Sequence, residues 1–176
     1  MRFSILGPLQ VLDTSGEPLT IGGARLRALL TLLLLHPDQQ VSTARLTDAI
    51  WGDDAPAATG NALQALASRL RRALGGDVRL HGDATGYRLE VAPGQVDLYE
   101  FEELAGLGRE RLLAGQPGEA ERALSAALAL WRGPAVPDLT AHGVGEDVAL
   151  RLAEARTRRT PGTRPRRPAP RAPGRG

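Results

Sequence analysis

The stretch from Thr59 to Gly76 carries side chains whose types and spacing suit contact with nucleic acid. Arginine presents a planar fork of donors that fits guanine edges and phosphates, and asparagine or glutamine fits adenine. The stretch contains no acidic residue. If it is helical, the side chains that point away from its leucines are Asn61, Gln64, Ala65, Ser68, Arg69 and Arg72. Such a face has the chemistry of a helix that reads the major groove of DNA.

A helix is indicated by leucines that recur at three- and four-residue intervals and form an apolar stripe. These leucines are Leu63, Leu66, Leu70 and Leu74. We expect Thr59 to be the N-cap of the helix and Gly75-Gly76 to end it in a left-handed conformation. A charged outer face is also the ordinary property of a solvated amphipathic helix. The surrounding elements must therefore decide between the two interpretations.

The composition limits the classes of protein to which the chain can belong. With 176 residues and 42% hydrophobic content, it can form one domain or two small ones around a real core. The absence of cysteine excludes disulfides, thiolate metal sites and cysteine nucleophiles. No export signal follows Met1, and the longest apolar run, Ala28 to Leu35, is too short to span a bilayer. We therefore expect a cytoplasmic protein with no membrane partner.

The basic charge is concentrated at the C-terminus. The chain has 22 basic and 20 acidic side chains, a net charge of +2 with histidine neutral. Eight arginines and no acids lie in residues 156–176, which leaves 14 basic against 20 acidic side chains, a net charge of −6, in residues 1–155. A DNA-binding surface in the body of the protein must therefore be a local patch.

Two short strands and a buried helix are predicted before residue 40. Residues 1–11 predict a strand interrupted at Gly7-Pro8, and residues 18–21 predict a second strand in a small antiparallel sheet. Leucines at helical spacing then predict a buried helix that ends at His36. The leucines expected inside the core are Leu26, Leu29, Leu30, Leu33 and Leu34.

The pattern after residue 40 predicts a winged helix-turn-helix. Ser42 is expected to cap a second helix, which ends at Gly52 and is joined to the arginine-bearing helix by a short loop. Residues 78–91 alternate around G-D-A-T-G and predict a hairpin, the wing. Asp83 at its tip would repel phosphate. The wing side chains that could reach phosphate are Arg79, His81 and Arg88.

A helical pair and an irregular tail are predicted beyond the wing. One helix opens with V-D-L-Y-E-F-E-E-L and the next with E-A-E-R-A-L, with small residues that allow close packing as in a tetratricopeptide-like hairpin. The residues expected to face inward are Leu104, Leu107, Leu112 and Leu113 on the first helix, and Ala120, Leu124, Ala127, Leu128 and Trp131 on the second. A further helix is expected over residues 146–156. From residue 157, proline, glycine and arginine occur without periodicity, which predicts disorder. Three explanations of this tail are open: a natural short form of the protein, a frameshifted end, or a basic arm that contacts phosphates.

The order of sheet, three helices and hairpin, with A-S-R-L-R-R-A-L and then T-G-Y-R-L, resembles the OmpR-type winged helix of bacterial response regulators. The opening M-R-F-S-I-L-G-P-L-Q-V and the connection W-R-G-P-A-V-P-D-L are similar to those of the actinomycete antibiotic regulatory proteins, which are pathway-specific transcriptional activators. The resemblance covers about residues 1–155. It implies an α+β fold: an antiparallel sheet and a winged helix-turn-helix at residues 1–97, and a partial bacterial transcriptional activation domain of tetratricopeptide-like helices at 98–156. The irregular tail at 157–176 departs from the pattern of the family, and its disorder is predicted from composition alone.

The resemblance also implies a function and a set of contacts. It implies a regulator that binds double-stranded DNA as a dimer on direct repeats near promoters, recruits RNA polymerase and activates a secondary-metabolite gene cluster, at the nucleoid in the cytoplasm. Arg69 is the expected specific base contact, Arg71 and Arg72 are expected at phosphates, and Arg88 of the wing is a weaker candidate. The residues implied at base edges are Asn61, Gln64, Ala65, Ser68 and Arg69.

Two other classes of function are open to this sequence. The winged helix could be only a scaffold, with the leucine-rich helical pair binding a protein partner or a second copy. The acid-free arginine face argues against this, because an adaptor has no need of it. An enzyme has little support, since His36, His81 and His142 are far apart in sequence and there is no glycine-rich phosphate loop with a lysine. We therefore expect no catalytic residues, no cofactor, no metal site and no small-molecule substrate.

Overall fold

The computed structural model describes residues 1–56, 58–140 and 145–158, and it has the α+β architecture that the sequence predicted. The strands are β1 (Arg2–Ser4), β2 (Gln10–Leu12), β3 (Val41–Ser42), β4 (Arg79–Gly82) and β5 (Gly86–Glu90). The helices are α1 (Ala24–Leu34), α2 (Thr43–Trp51), α3 (Thr59–Leu74), α4 (Asp97–Leu113), α5 (Pro117–Ala129), α6 (Pro137–Thr140) and α7 (Glu146–Arg158). Single 3-10 turns follow α2 at Gly52–Asp54 and precede α4 at Pro93–Gln95.

The N-terminal strands differ from the sequence prediction, which was wrong in its strand boundaries. Residues 1–11 form two strands rather than one, and β1 pairs antiparallel with β2. The chain turns back through Gly7-Pro8, where Gly7 has a φ of 151°, a backbone conformation that residues with a side chain rarely adopt. Residues 18–21 contribute a single bridge from Pro18 to β2 instead of a strand. Proline has no N–H with which to continue a ladder.

Helix α1 lies at the centre of the core, as the leucine spacing predicted. Every residue from Ala28 to Leu34 is at most 3% exposed, and Leu26 is 7% exposed. The helix contacts α2, α3, α6 and β5. A helix that is apolar on all sides is stable only when other elements cover all of it. The winged helix and the helical segment both supply this cover, so α1 joins the two halves of the chain.

The two helices after α1 form the predicted helix-turn-helix. Ser42 caps α2 as expected, because its hydroxyl accepts a hydrogen bond from the Arg45 amide at 3.3 Å. The prediction that Thr59 caps α3 was wrong, since Ala58 occupies the N-cap position. Thr59 already has a helical backbone, and its hydroxyl donates to the Pro56 carbonyl in the preceding turn.

The wing is the predicted hairpin, and it forms a sheet with β3. Strand β5 lies between β3 and β4 and pairs antiparallel with both. Gly86 allows the closest approach in this sheet, because a Cβ at that position would overlap the carbonyl oxygen of Val41. The sheet therefore ties the wing to the loop that enters α2.

Helices α4 and α5 form a helical hairpin, but the inward face predicted for α4 was wrong. Leu107, Leu112 and Leu113 are 39%, 53% and 90% exposed, and Leu104 is half-buried. The residues that α4 buries instead are Asp97, Leu98, Phe101, Ala105 and Gly108. Small residues on this face let α5 approach, since a Cβ at Gly108 would lie 2.6 Å from the Leu124 side chain. On the second helix, Ala120, Leu124 and Ala127 are buried as predicted, and Leu128 is half-buried. Trp131 is 9% exposed and lies two residues beyond the end of this helix rather than on it.

The N-terminal hairpin and the helical segment are connected by a buried polar cluster. The Asp97 carboxylate, 3% exposed, accepts hydrogen bonds from the Ile5 amide at 2.8 Å and the Leu6 amide at 3.1 Å. The Arg132 amide donates to the Leu6 carbonyl at 2.8 Å, and its guanidinium lies 3.8 Å from the Asp97 carboxylate. Burial raises the pKa of Asp97, although these partners favour the charged form. Removal of one partner would leave a buried polar group unsatisfied.

Helix α7 confirms the helix predicted over residues 146–156 and continues to Arg158. The prediction of disorder from residue 157 therefore fails for Thr157 and Arg158, which belong to the helix. Residues 159–176, where the rest of that prediction falls, lie outside the described residues.

Candidate nucleic-acid interface

The orientation of α3 agrees with the prediction. Its leucine stripe is buried, with no member more than 4% exposed, and Ala67 joins that stripe. The opposite side is exposed and consists of Asn61, Gln64, Ala65, Ser68, Arg69 and Arg72. We refer to these six residues as the outer face of α3. Gly75, with a φ of 66°, ends the helix as predicted.

The two arginines of the outer face are free of ion pairs among the described residues. The Nε of Arg69 donates a long hydrogen bond of 3.4 Å to the Ala65 carbonyl in its own helix. The side chain of Arg72 has no hydrogen-bond partner in that part of the chain. Their guanidinium groups therefore keep most of their donors for an external acceptor, and an exposed arginine fork is suited to base edges and phosphates.

Arg71 occupies a different position from the other two arginines. It is exposed, but its Nε donates to the Leu80 carbonyl of β4 at 2.9 Å. Its guanidinium also lies close to Gly82, the residue that faces Tyr87 across the hairpin. Arg71 therefore connects α3 to the wing, and only its terminal nitrogens are available for the phosphate contact that the resemblance implied.

The basic side chains of the wing are mostly paired with acids. Arg88 forms an ion pair with Asp38 at 2.8 Å, and His81 contacts Glu90 at 2.9 Å. The hydrogen bond from His81 lowers the pKa of Glu90, which keeps that acid charged. Arg79 has no such partner in the described residues. The wing thus presents less free positive charge than its sequence suggests.

Asp83 shapes the tip of the wing. Its carboxylate accepts hydrogen bonds from the Thr85 hydroxyl at 2.6 Å, the Thr85 amide at 2.7 Å, the Gly86 amide at 3.1 Å and the Gln40 side chain at 2.9 Å. These bonds, led by the one from the Thr85 hydroxyl, lower the pKa of Asp83 to about 2. The sequence interpretation, in which Asp83 only repels phosphate, missed this structural function.

Arg25 in the first turn of α1 is a further exposed arginine near the outer face of α3, and it was not predicted from the sequence. Its guanidinium lies 5.9 Å from the centre of the Trp51 ring, and it lines the same groove as Arg69 of α3. A signal was present in the sequence, because Arg25 follows Gly22-Gly23 and is offset from the leucine stripe of α1. What the sequence could not provide was the proximity to Arg69, 44 residues further along the chain.

Metal-binding and membrane-spanning features are absent from the residues that the structure describes. No group of three or more acidic or histidine side chains in this part of the chain could hold a metal ion. None of its helices combines the length and apolar character that crossing a bilayer requires. His36 lies in the turn after α1 and His81 lies in β4, whereas His142 is outside the described residues.

The fold and the outer face of α3 define a winged-helix protein with an attached helical segment. The comparisons with known proteins agree with both parts. Residues 17–89 match the family described as transcriptional regulatory protein, C terminal, and residues 96–161 match the bacterial transcriptional activator domain.

Relatives of the chain are named as transcriptional regulators. The transcriptional regulatory protein EmbR of Mycobacterium tuberculosis is 34% identical over 88% of this chain and 41% of its own length. The regulatory protein AfsR of Streptomyces coelicolor is 36% identical over 76% of this chain and 13% of its own length, and the transcriptional regulator RedD of the same organism is 37% identical over 78% and 41%. The solved structure of Mycobacterium tuberculosis EmbR in complex with a low-affinity phosphopeptide matches with a TM-score of 0.83 and 32% identity, over 90% of this chain and 43% of that one.

These similarities confirm the resemblance found in the sequence. The chain belongs to the actinomycete antibiotic regulatory protein family of transcriptional regulators, which join an OmpR-type winged helix to a bacterial transcriptional activator domain. The family consists of regulators rather than enzymes, in agreement with the expectation of a non-enzyme. The chain spans less than half the length of these relatives.

Proposed function

We propose that the chain is a sequence-specific DNA-binding transcriptional regulator whose helix α3 enters the major groove. The observation that supports this most directly is the outer face of α3, which is exposed, free of acids and free of ion pairs among the described residues. A surface of this kind lies in a body whose net charge is negative, so it is a local basic patch. The family relationship adds an independent argument for DNA as the partner.

Each residue of the interface has a proposed part in this function. Arg69 makes the specific contact, most simply to the O6 and N7 atoms of guanine, and Arg72 contacts phosphate. Arg71 reaches phosphate through its terminal nitrogens while its Nε holds the wing. Arg88 is the weakest contact, because Asp38 already neutralises it. The remaining base-edge contacts come from Asn61, Gln64, Ala65 and Ser68.

The wider function follows from the same proposal. Residues 1–97 bind DNA, and residues 98–156 form a partial activation domain. The protein acts at the nucleoid in the cytoplasm, as a dimer on direct repeats near promoters. Contact with RNA polymerase then activates a secondary-metabolite gene cluster, and the similarity to AfsR and RedD of Streptomyces coelicolor supports this choice of target.

The alternative function is a protein-interaction module with a winged helix that reads no DNA. The observation that favours it is the exposure of Leu107, Leu112 and Leu113 at the end of α4 and of Leu150 on α7. Exposed large apolar side chains are one property of surfaces that contact other proteins. This alternative does not explain why the outer face of α3 keeps two unpaired arginines.

Selection from random duplexes tests the proposal. The purified chain and the variant Arg69→Ala are bound to pooled random duplexes at two salt concentrations, and the retained DNA is sequenced. We expect the wild-type chain to enrich a short directly repeated motif. The variant should lose about 1–3 kcal/mol of discrimination at one position, because a bidentate arginine contact is worth that much.

The matched control is Arg122→Ala, which removes an exposed arginine of α5 that has no ion pair among the described residues. It should enrich the same motif as the wild-type chain. Retention of DNA without enrichment, equal in all three proteins and steeply weakened by salt, would mean that the basic tail alone binds DNA. The proposal would then be wrong and the interaction module would replace it.

A further inference from the structure

A groove of about 430 Å³ lies between the start of α1 and the middle of α3. It is lined by Gly22 to Leu26 on one side and by Leu66 and Arg69 on the other. None of these residues except Arg69 belongs to the interface that the sequence identified. The groove opens to solvent beside the outer face of α3, so a molecule bound to that face would also meet it.

Two guanidinium groups from different helices face this groove without a counter-charge. Arg25 and Arg69 are both exposed, and neither forms an ion pair in the described part of the chain. Arg25 lies over the Trp51 ring at 5.9 Å, a contact that positions the side chain but leaves its charge in place. Like charges on the two walls of a groove repel each other and attract an anion.

The glycine pair at the entrance leaves room for a large anionic ligand. A Cβ at Gly22 or Gly23 would meet no atom within 4 Å, so the approach to the groove is open. The amides of Leu26 and Arg27 are bonded to the Gly23 carbonyl. The amides of Ala24 and Arg25 have no acceptor among the described residues and can add donors to those of the two arginines.

The position of the groove around α3 relates it to the reading of DNA. Arg69 and Arg71 are two residues apart, which places them about 200° apart around a helix axis. Arg71 faces the wing, where it bonds to Leu80, and Arg69 faces α1. The groove and the wing therefore flank the outer face of α3 on opposite sides.

We infer that this groove binds a backbone phosphate of the DNA, held by Arg25, while Arg69 on the opposite wall contacts the adjacent base. The inference rests on the proposed DNA-binding function and extends the contact surface to α1. The partner is a duplex rather than a free anion, because Arg69 belongs to both the groove and the outer face of α3. Arg25 is a backbone contact, so it contributes affinity and register but no sequence preference.

The salt dependence of binding tests this inference. On a selected duplex, Arg25→Ala should bind about three- to tenfold more weakly, and the slope of log K against log salt concentration should become shallower by about one. The enriched sequence should stay the same. Arg25→Lys should keep the slope because it keeps the charge, and Arg122→Ala should match the wild-type chain in both affinity and slope. The tail contributes equally in every variant, so it cancels in these differences.

A chemically neutral phosphate gives a second measurement. In this measurement, binding is compared across a series of duplexes, each with one methylphosphonate in place of a phosphate. At one position the substitution should weaken binding by the wild-type chain and leave binding by Arg25→Ala unchanged. Thermal unfolding of each variant establishes that loss of the Trp51 contact has not unfolded the protein.

The outcomes separate this inference from the function on which it rests. The groove contact would be overturned if Arg25→Ala had the same salt-dependence slope as the wild-type chain and responded in the same way to every methylphosphonate. If Arg69→Ala nevertheless lost its sequence preference, the proposed function would stand. Failure of the wild-type chain to prefer any duplex would instead overturn both.

Discussion

The outer face of α3 and the wing hairpin both carry basic side chains, but most of those on the wing are paired with acidic side chains and those on α3 are not. Arg69 and Arg72 on α3 have no acidic partner among the described residues, whereas Arg88 on the wing is paired with Asp38 and His81 with Glu90. An exposed pair of this kind adds little to stability. Its main effect is on charge, because Asp38 offsets the positive charge of Arg88 and weakens its attraction for phosphate.

The difference indicates that the two elements have different tasks. The outer face of α3 is exposed and has no ion pair among the described residues, while the wing is held together by contacts within the protein. Asp83 fixes its turn, Gly86 lets it lie against β3, and Arg71 joins it to α3. In this chain the wing is thus mainly a support that orients α3.

The largest expected effect comes from substitution of a glycine in the wing. In Gly86→Ala the new methyl group would overlap the Val41 carbonyl oxygen, and that backbone atom cannot move without opening the β3–β5 pairing. We expect a loss of about 2–3 kcal/mol in the free energy of unfolding, which is typical of overpacking at a rigid site. Urea denaturation measures this change.

The matched control lies in α3. A Cβ at Gly60 would meet nothing within 4 Å, so Gly60→Ala should be neutral or should stabilise the protein by about 0.5–1 kcal/mol. Equal effects of the two substitutions would contradict the view that the wing is a tightly packed support and that the outer side of α3 is open.

Local patterns in the sequence were sufficient to predict both helix α3 and the wing hairpin. Leucines at helical intervals gave the orientation of α3, and alternation around G-D-A-T-G gave the wing. The burial of α1 was equally predictable, because its leucines recur at three- and four-residue intervals. In each case the signal lies within a single element, so it does not depend on the rest of the fold.

The contacts that distinguish the two regions were not predictable in this way. Arg88 and Asp38 are 50 residues apart, and their ion pair depends on how β5 packs beside the end of α1. The buried face of α4 was mistaken for a similar reason. Its large leucines suggested the core, but contact with α5 requires small residues, and Gly108 against Leu124 determines which side faces inward.

A second prediction tests whether the ion pair with Asp38 keeps Arg88 of the wing from contacting phosphate. Asp38→Asn removes the ion pair with Arg88 at 2.8 Å, and asparagine tolerates the positive φ of 54° at this position. Stability should change by less than about 1 kcal/mol, because the pair is exposed. Binding to a selected duplex should become tighter, and the slope of log K against log salt concentration should become steeper by up to about one as Arg88 gains a phosphate.

A control is needed because this change also raises the net charge. Glu121→Gln on α5 alters the charge equally at an exposed position without an ion pair among the described residues. Its slope should match that of the wild-type chain. If both variants steepened the slope to the same extent, net charge rather than the release of Arg88 would be responsible.

The smallest expected effect is a pH dependence confined to the wing. The pKa of Asp83 is lowered to about 2, chiefly by the hydrogen bond from the Thr85 hydroxyl, while an unfolded chain has a value near 3.8. A lowered pKa in the folded state means that the stabilising contribution is complete above the unfolded value and is lost as the pH falls through the folded one. Between about pH 4 and pH 2 the turn should therefore loosen, whereas α3, which has no acidic residue, should not respond.

Amide chemical shifts measure this difference residue by residue. The amides of Thr85 and Gly86 donate to Asp83, so both should titrate with a midpoint near 2, and amides on the outer face of α3 should stay constant over the same range. Asp83→Asn should abolish the titration at both positions. A midpoint near 3.8, or an equal response in α3, would show that the Asp83 contacts do not hold the wing, and the distinction between a supported wing and an open α3 would lose its structural basis.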